Sequence, residues 1–327
     1  MRIGVVYESC ANAYYRAIYP ARVLEMRGHE VVWPAADGRA DPKRLGGCDL
    51  IHVYRRAAED TRRLLADFGR RGAAITYDND DDFTTFPKES PDYKKVGGAI
   101  GQRIFAETVK AARMARGFTT TSEVLAQKYR EAGVENVTVI ANYVAPGSRP
   151  RKAHDGVVVG WVAGHDHAAD LVRIDIVDAL RRLVAKHRNV RVECVGLDLR
   201  LPERYTHLGI VPFERLYEIM GRWDIGIAPL SDIPFNQSRS DIKVKEYAAS
   251  GLVWLASPRT PYAGLGEAQG GWLVEDDRWL EALDRMVSHP LKRWRLARRA
   301  KAWGSMQTIT GVADRWEAHF TAALAGR

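Results

Sequence analysis

The sequence has few cysteines and lacks the motifs of the most common metal, phosphate and nucleophile sites. Its three cysteines, Cys10, Cys48 and Cys194, are widely separated and odd in number. This pattern favours buried thiols in a reducing compartment over a disulfide framework. There is no P-loop, GxSxG elbow, HExxH pair or CxxC pair. These absences exclude the most easily recognised kinases, serine hydrolases and zinc enzymes.

Long hydrophobic runs are missing as well. No apolar stretch approaches the roughly 20 residues that a membrane-spanning helix requires. Met1 leads directly into a strand-like segment, without the charged and apolar regions of a signal peptide. We therefore expect a cytoplasmic protein with no transmembrane segment.

The sequence has an excess of positive charge, which is spread along the chain. The net charge of +8 is divided evenly, with four positive charges in excess in residues 1–150 and four in residues 151–327. The densest basic run, residues 292–301, favours a solvated helix face over a nucleic-acid-binding stripe. The charge is therefore compatible with an anionic donor, an anionic acceptor or neither.

The first half alternates short β-rich runs with amphipathic stretches, which is typical of βαβ units and a parallel sheet. Gly28 and Gly133 stand where a glycine is expected just after a helix. The predicted strands cover residues 3–7, 30–33, 50–54, 74–77, 117–121 and 138–140, and the predicted helices cover residues 15–27, 59–71, 101–115 and 122–132.

A break rich in proline and glycine at residues 145–150 separates this half from a second alternation. The second half has predicted strands at 157–161, 191–195, 225–229 and 253–256, and predicted helices at 171–186, 212–222 and 240–250. The sequence thus predicts an α/β protein with two Rossmann-like domains, residues 1–150 and 151–305. A last helix within residues 306–327 follows them.

One segment carries most of the functional information. Residues 224–230 read DIGIAPL, and residues 235–251 read FNQSRSDIKVKEYAASG. Together they resemble the donor-site signature of the large GT-B glycosyltransferase family called family 4 or group 1. The resemblance implies a GT-B architecture, in which two domains face each other across a cleft and the last helix crosses back to the first domain. It also implies an acceptor-binding N-terminal domain and a C-terminal domain that binds the nucleotide sugar.

The residues of this segment suit such a site on physical grounds. Ser240 is a good N-cap for a helix whose first turn would present backbone N–H groups to a diphosphate. Arg239 and Lys243 could neutralise phosphate charge. Lys243, Glu246 and Tyr247 follow helical spacing, so they share a face that we assign to the donor. The resemblance implies that Glu246 accepts hydrogen bonds from the ribose hydroxyls. The alternative is a surface helix with ordinary ion pairs.

One position departs from the family pattern, which usually has two glutamates separated by seven residues. Ser238 stands where the first would be. A serine supplies no carboxylate for the hydroxyls of the donor sugar, so either Asp241 or Asn236 substitutes or the sugar is held differently.

A second match lies in residues 158–167, VVGWVAGHDH, which resemble the first strand and loop of the family's C-terminal domain. Gly164 would let the backbone approach the diphosphate closely. His165 would lie in a loop that closes over the donor. His165 and His167 could also suggest a metal, but no third ligand is evident, and we predict no metal site.

In the first half, several candidates follow strands at the edge where open α/β proteins bind ligands. After the first strand come Asn12, Tyr15 and Arg16, which we interpret as facing the cleft, although a helix start with buried tyrosines is equally compatible. His52 lies within a strand and Arg55 at its end. His52 fits a core histidine better than a base, but we retain it as a candidate.

The run YDNDDDF at residues 77–83 holds four aspartates in five positions. Their charges repel one another unless solvent or cations compensate them. We interpret Asp78, Asp80 and Asp81 as acceptor-side or cleft residues. A solvated turn near Arg55 and a divalent-cation site remain as alternatives.

The function that the resemblance implies is the retaining transfer of a sugar from a nucleotide diphosphate sugar, with UDP as the expected nucleotide and no required cofactor. The acceptor is open: a saccharide, a lipid-linked sugar or a small molecule. A minority hypothesis is a hydroxymethylated base in DNA, its phosphates tracked by cleft cations such as Arg16 and Arg55. A nucleotide-sugar epimerase or hydrolase, and a non-catalytic binding module, are also compatible with this sequence.

Overall fold

Two parallel six-stranded sheets organise the chain in the computed structural model, which describes residues 1–147 and 153–326. The first sheet has the strand order β2-β1-β3-β4-β5-β6 and the second has β12-β11-β10-β7-β8-β9. All paired strands are parallel. The predicted α/β class with two Rossmann-like units is confirmed.

The strands of the first sheet are β1 (Arg2–Tyr7), β2 (Glu30–Val32), β3 (Leu50–Tyr54), β4 (Ala74–Asp78), β5 (Gly117–Thr120) and β6 (Val137–Val139). Those of the second are β7 (Val157–Ala163), β8 (Val190–Gly196), β9 (Tyr205–His207), β10 (Ile225–Ala228), β11 (Val253–Ala256) and β12 (Gly271–Leu273). The sequence patterns did not predict β9 and β12, which have three residues each.

Helices lie between the strands. In the first half they are α1 (Tyr19–Met26), α2 (Pro42–Leu45), α3 (Glu59–Arg70), α4 (Tyr93–Val96), α5 (Gly98–Met114) and α6 (Glu123–Glu131). The second half has α7 (Ala168–Arg173), α8 (Ile176–Lys186), α9 (Phe213–Met220), α10 (Pro234–Gln237), α11 (Ile242–Ala249), α12 (Trp279–Ser288), α13 (Pro290–Met306) and α14 (Ala313–Ala325). None of these helices is both long and apolar enough to cross a bilayer.

The helix ends confirm some sequence signals and correct others. Gly28 and Gly133 have φ values of 89° and 76°, the left-handed conformation expected of a glycine after a helix. The single helix predicted at residues 171–186 is two helices, α7 and α8. Ile174 interrupts it, because this residue is extended (φ −115°, ψ 132°) and its side chain is buried in the core.

The last helix, α14, returns to the first sheet. Trp316 and Phe320 are buried in a cluster with Ile3 and Leu50 of that sheet. The chain before α14 also pairs with the end of the first half, because Ile309 N–H donates to the carbonyl of Val144 at 2.9 Å. The predicted boundary at residues 150 and 151 lies outside the described residues. The proposed start of the last segment, residue 306, is the final residue of α13.

The order of the strands in the second sheet determines which loops frame the candidate site. In the second sheet, β7 lies between β10 and β8, so the chain crosses from one side of β7 to the other. Ligands of open α/β sheets bind at such a reversal, outside the carboxyl ends of the strands. The loops that follow β7 and β10 therefore frame the candidate site.

Candidate functional site

A buried hydrogen-bond network joins the loops after β7 and β10. Asp170 on α7 accepts from the backbone N–H of Ser231 at 2.8 Å and from Nδ2 of Asn236 at 2.9 Å. Its other carboxylate oxygen lies 2.8 Å from Nδ1 of His167. His167 and Asp170 are three residues apart on consecutive helical turns, which brings them together. The network fixes the position of the chain that leads into α11.

Arg239 lies beside this network and forms an ion pair with Asp166. One of its guanidinium nitrogens is 3.3 Å from Nε2 of His167, and its guanidinium lies over the ring of Phe235 at 5.4 Å. Burial alone would raise the pKa of Asp166, but Arg239, then His167 and Lys243, hold it well below its usual value. Asp166 is therefore a carboxylate that keeps its charge.

Lys243 projects from the first turn of α11 close to Arg239. Its ammonium makes no ion pair within 4 Å among residues 1–147 and 153–326. Burial lowers its pKa, Glu246 opposes this, and the like charge of Arg239 lowers the pKa further. Two partly buried cations thus lie close together, and the carboxylates near Arg239 whose pKa values are lowered are Asp166 and Asp170. Such a position favours an added anion.

Glu246 is fully buried one turn farther along α11. Its Oε1 accepts a hydrogen bond of 2.5 Å from the hydroxyl of Tyr15, in the first half of the chain. Burial and then the charge of Glu246 raise the pKa of Tyr15, which keeps this hydroxyl protonated as a donor. Tyr15 therefore uses one oxygen of the carboxylate that we assigned to ribose.

Other contacts bring the two halves together around the site. Nδ1 of His165 lies 2.8 Å from a carboxylate oxygen of Asp92, and the hydroxyl of Ser122 donates to the carbonyl of Ser238 at 2.8 Å. Gly164 precedes His165 in an extended conformation, and a Cβ there would lie 2.5 Å from a carboxylate oxygen of Asp166. His165 and Gly164 thus lie in the loop expected to cover the donor.

The helix start differs from the prediction. The N-cap of α11 is Asp241 and not Ser240, and Asp241 does not cap with its side chain, because it pairs with Lys245 at 2.8 Å. The hydroxyl of Ser240 instead accepts from Nδ2 of Asn142 at 3.1 Å. Ser240 therefore connects the two halves, and the carboxylate of Asp241 makes no capping hydrogen bond to the backbone N–H groups of α11.

Three predicted donor residues have internal partners. Tyr247 is buried, with its hydroxyl donating to Ile227 at 3.0 Å and accepting from the N–H of Val162 at 3.1 Å. It faces the sheet, so its assignment to the donor face was wrong. The hydroxyl of Ser238 donates to the carbonyl of Phe235 at 3.0 Å, and Asn236 is buried beside Asp170.

Arg16, Asp78 and His52 do not line the cleft, because all three are buried in the first half. Arg16 pairs with Asp78 at 2.6 Å. His52 contacts the carbonyl of Arg16 through Nε2 at 2.9 Å and Thr76 through Nδ1 at 3.0 Å. Burial lowers the pKa of His52 to about 4, so the ring is neutral near pH 7. These residues form a polar core.

The rest of the acidic run is compensated by cations. Arg55 pairs with both Asp80 and Asp81, and Lys128 with Asp82 at 2.7 Å. Asp80 is buried, whereas Asp81 keeps part of its surface and is near enough for its charge to raise the pKa of Arg239. Burial raises the pKa of Asp81 to about 6. Asp81 and Arg239 thus act on each other electrostatically across the two halves.

Asn12 is half-buried in the turn before Tyr15. Its carbonyl accepts from the backbone N–H groups of Tyr15 and Arg16, at 3.1 and 3.2 Å. Residues Tyr14–Ile18 form a short π-helix that leads into α1. Such segments are frequent at functional sites. The turn thus directs Tyr15 toward the second half, while Arg16 turns into the core.

Sequence reasoning missed the residues that orient Arg239 and line the junction. Asp166 and Asp170 were visible only as part of a polar loop, and the spacing of His167 and Asp170 was the available signal. Phe213, which stacks on Tyr14 at a centroid distance of 4.1 Å, had no signal, because the two are far apart in sequence. Within the described ranges, no group of three or more histidine, cysteine, aspartate or glutamate side chains is arranged to hold a metal.

Solved structures share this fold. Sucrose-phosphate synthase from Thermosynechococcus elongatus is 13% identical, with full coverage of both chains and a TM-score of 0.67. HepE from Anabaena, in complex with UDP-glucose, is 15% identical, also with full coverage, and has a TM-score of 0.66. A mutant of S. aureus TarM, in complex with UDP, alpha-GlcNAc-glycerol and fondaparinux, is 13% identical over 83% of this chain, with a TM-score of 0.58. The chain spans about half the length of TarM, because the match covers 55% of it.

No protein-family model matches the sequence, and no curated protein matches it. At these identities the structural likeness establishes the GT-B fold and leaves the chemistry to be argued from the residues of the site.

Proposed function

We propose that this chain is a glycosyltransferase that moves a sugar from a nucleotide diphosphate sugar, with UDP as the nucleotide, to an acceptor. The observation that carries the proposal is the pair of cations at the start of α11. Lys243 is desolvated beside Arg239 and has no ion pair among the described residues. Arg239 is paired with Asp166, whereas Lys243 is partly withdrawn from water with a like charge beside it, and a diphosphate would supply the anion that Lys243 lacks.

The donor site of this proposal has three parts. Arg239 offers a planar fork of N–H donors, Lys243 offers a point charge, and the first turn of α11 offers the positive end of a helix dipole. Glu246 accepts from the ribose hydroxyls after Tyr15 has moved away. The loop at Gly164 and His165 covers the diphosphate. HepE and TarM have been crystallised with UDP or a UDP-sugar, which supports UDP as the nucleotide.

Catalysis in this scheme is electrostatic. The bond between the anomeric carbon and the leaving phosphate oxygen breaks, and a bond to the acceptor oxygen forms on the same face, so the configuration is retained. The proton of the acceptor hydroxyl passes to the leaving phosphate oxygen. Negative charge develops on the leaving diphosphate, where Arg239 and Lys243 stabilise it. The retaining outcome is what the family resemblance implies. No step requires a metal or another cofactor.

The proposed binding surface for the donor sugar lacks the glutamate that is usual in the family. Asn236 donates to Asp170 at 2.9 Å and Asp241 pairs with Lys245, so we assign neither as a direct substitute for the usual glutamate. Asp166 of the second half pairs with Arg239, and the charge of Asp81 from the first half also raises the pKa of Arg239. We propose that they face the sugar and the acceptor, with Asp81 on the acceptor side.

DNA as the acceptor receives less support than a saccharide, a lipid-linked sugar or a small molecule. Two of the cleft cations invoked for DNA are engaged by carboxylates of the first half: Arg16 with Asp78, and Arg55 with Asp80 and Asp81. We therefore place the acceptor against the first half at Asp81 and propose a hydroxyl compound without a phosphate backbone.

Thermal-shift screening of nucleotide sugars tests the proposal, followed by mass spectrometry of products with and without mixed acceptors. Transfer of the sugar to an acceptor supports the glycosyltransferase. A new sugar nucleotide or free sugar formed without an acceptor would identify an epimerase or hydrolase. Tight UDP binding without any turnover would identify a binding module.

A further inference from the structure

Helix α13 (Pro290–Met306) has a solvent face that mixes cations with large apolar side chains. Leu291 and Trp294 are 73% and 56% exposed. Arg295, Arg298 and Lys301 are exposed as well and follow Leu291 at helical spacing, so all five side chains lie on one face. We call these five residues the α13 face.

The cations of the α13 face are uncompensated. Within the described ranges, Arg295, Arg298 and Lys301 make no ion pair. Two other cations of the helix differ, because Lys292 and Arg299 approach Glu267 at 2.8 and 3.9 Å. Arg298 lies over the ring of Trp294 at 4.9 Å. The face therefore presents net positive charge around an exposed indole.

A groove runs beside the α13 face. Its cavity of about 360 Å³ is lined by Trp294, Arg298 and Lys301 of α13, and by Ser250 and one carboxylate, Asp224, from outside this helix. The hydroxyl of Ser250 is buried and has no hydrogen-bond partner in the part of the chain that the structure describes. The groove thus combines cationic, aromatic and hydroxyl groups around an open volume.

The opposite face of α13 is firmly packed. Leu296, Ala300 and Gly304 are buried, and a Cβ at Gly304 would overlap the backbone nitrogen of Ala249 on α11. This close approach fixes α13 against the helix that carries Lys243 and Glu246. The packing therefore leaves the α13 face exposed, and α13 does not need a partner to be held in place.

We propose that the α13 face docks on the surface of an anionic lipid bilayer. Arginine and lysine are drawn to the negative headgroups, while a tryptophan and a leucine on the same face enter the boundary between headgroups and acyl chains. A nucleic-acid backbone would pair the cations but leave Leu291 without an apolar partner. The proposal is independent of the proposed function.

Sedimentation with vesicles tests it. The intact protein should partition onto phosphatidylcholine vesicles that contain phosphatidylglycerol, and much less onto pure phosphatidylcholine. The variant Arg295→Gln, Arg298→Gln, Lys301→Gln should partition about 100-fold less, since each cation contributes roughly five-fold near an anionic surface. The variant Leu291→Ser, Trp294→Ser should lose at least about ten-fold, because it removes two inserted apolar groups.

The matched control removes the same charge from another exposed helix end. Arg63, Arg70 and Arg71 pair with acids on α3, and changing all three to glutamine should leave partitioning within about two-fold of the wild type. Equal loss in this control would show that net charge alone binds the vesicles and would overturn the proposal. It would also be overturned by no preference for anionic vesicles, by undiminished binding of the Leu291 and Trp294 variant, or by binding of duplex DNA without binding of vesicles.

Discussion

The hydroxyl of Tyr15 donates a 2.5 Å hydrogen bond to Glu246, joining residues 231 positions apart in the sequence and in different halves of the fold. The acceptor oxygen belongs to the carboxylate that the proposed donor site needs for ribose. The contact between the halves and the proposed ribose contact therefore use the same carboxylate. We propose that the ribose hydroxyls and Tyr15 compete for this oxygen, so that the nucleotide displaces Tyr15 when it binds.

The variant Tyr15→Phe separates the contact between the halves from the binding of the nucleotide. The variant removes one donor from a buried carboxylate, so the free energy of unfolding should fall by about 1–3 kcal/mol. UDP should nevertheless bind more tightly, by about ten-fold for each 1.4 kcal/mol of competition removed. Calorimetric titration with UDP and chemical denaturation measure the two effects. The control is Tyr14→Phe, whose hydroxyl bonds to the exposed Glu214 and should leave UDP affinity unchanged. Weaker UDP binding by Tyr15→Phe would contradict the competition.

Lys243→Met should weaken UDP binding while preserving or raising the melting temperature. The half-buried ammonium has no ion pair among the described residues, so its removal relieves partial desolvation, whereas the diphosphate loses a contact worth about 1.5–3 kcal/mol. Calorimetry and thermal unfolding should therefore change in opposite directions.

Lys245→Met is the matched control, two residues along the same helix. Lys245 pairs with Asp241 at 2.8 Å and donates to the carbonyl of Asn142 at 3.0 Å. This variant should lose stability, by about 3–5 kcal/mol if the buried pair behaves as others do, and the folded protein should keep its UDP affinity. The same loss of affinity in both variants would make Lys243 merely structural.

The buried His52 predicts a loss of stability in acid. Its pKa in the folded protein is about 4, below the ordinary histidine value of 6.5. The neutral ring therefore contributes stability above pH 6.5, and this contribution is lost as the pH falls through about 4. Relative to His52→Asn, the wild type should lose about 3 kcal/mol between pH 7 and pH 4, at about 1.4 kcal/mol per pKa unit. Denaturant titrations at both pH values measure this difference, and parallel pH profiles for the two proteins would show that His52 is not held neutral.

Chelation tests the alternative role of the acidic run. Asp78, Asp80 and Asp82 are engaged by Arg16, Arg55 and Lys128, so we expect EDTA to leave UDP affinity unchanged. The comparison is a titration before and after exhaustive chelation, with manganese or magnesium added back. An affinity that disappears with EDTA and returns with the metal would make Asp81 and its neighbours a cation site.

The sequence predicted the fold well because both of its signals are local. Alternating β-rich runs and amphipathic stretches define the parallel sheets, and Gly28 and Gly133 mark helix ends. The short edge strands β9 and β12 were not predicted, because a strand of three residues is too short for its alternation of apolar and polar residues to distinguish it from a loop. The interruption between α7 and α8 at Ile174 was not predicted either, because only tertiary packing favours it.

The sequence predicted the part of the candidate site that one contiguous motif provides. It did not predict the contacts made by residues that are distant in the sequence. Arg239, Lys243 and Glu246 come together because one short segment and one helix carry them. Arg16 and Asp78 were assigned to the cleft because they follow strands at the correct edge. A position after a strand predicts at which edge of the sheet a residue lies, but not where its side chain points. Arg16 and Asp78 form an ion pair with each other, and both side chains are buried in the core.

A crystal structure with UDP tests the central claim most directly. The proposal predicts the diphosphate between Arg239 and Lys243, the ribose hydroxyls within hydrogen-bond distance of Glu246, and the hydroxyl of Tyr15 displaced from that carboxylate. UDP bound elsewhere, or bound with the hydrogen bond between Tyr15 and Glu246 intact, would contradict it.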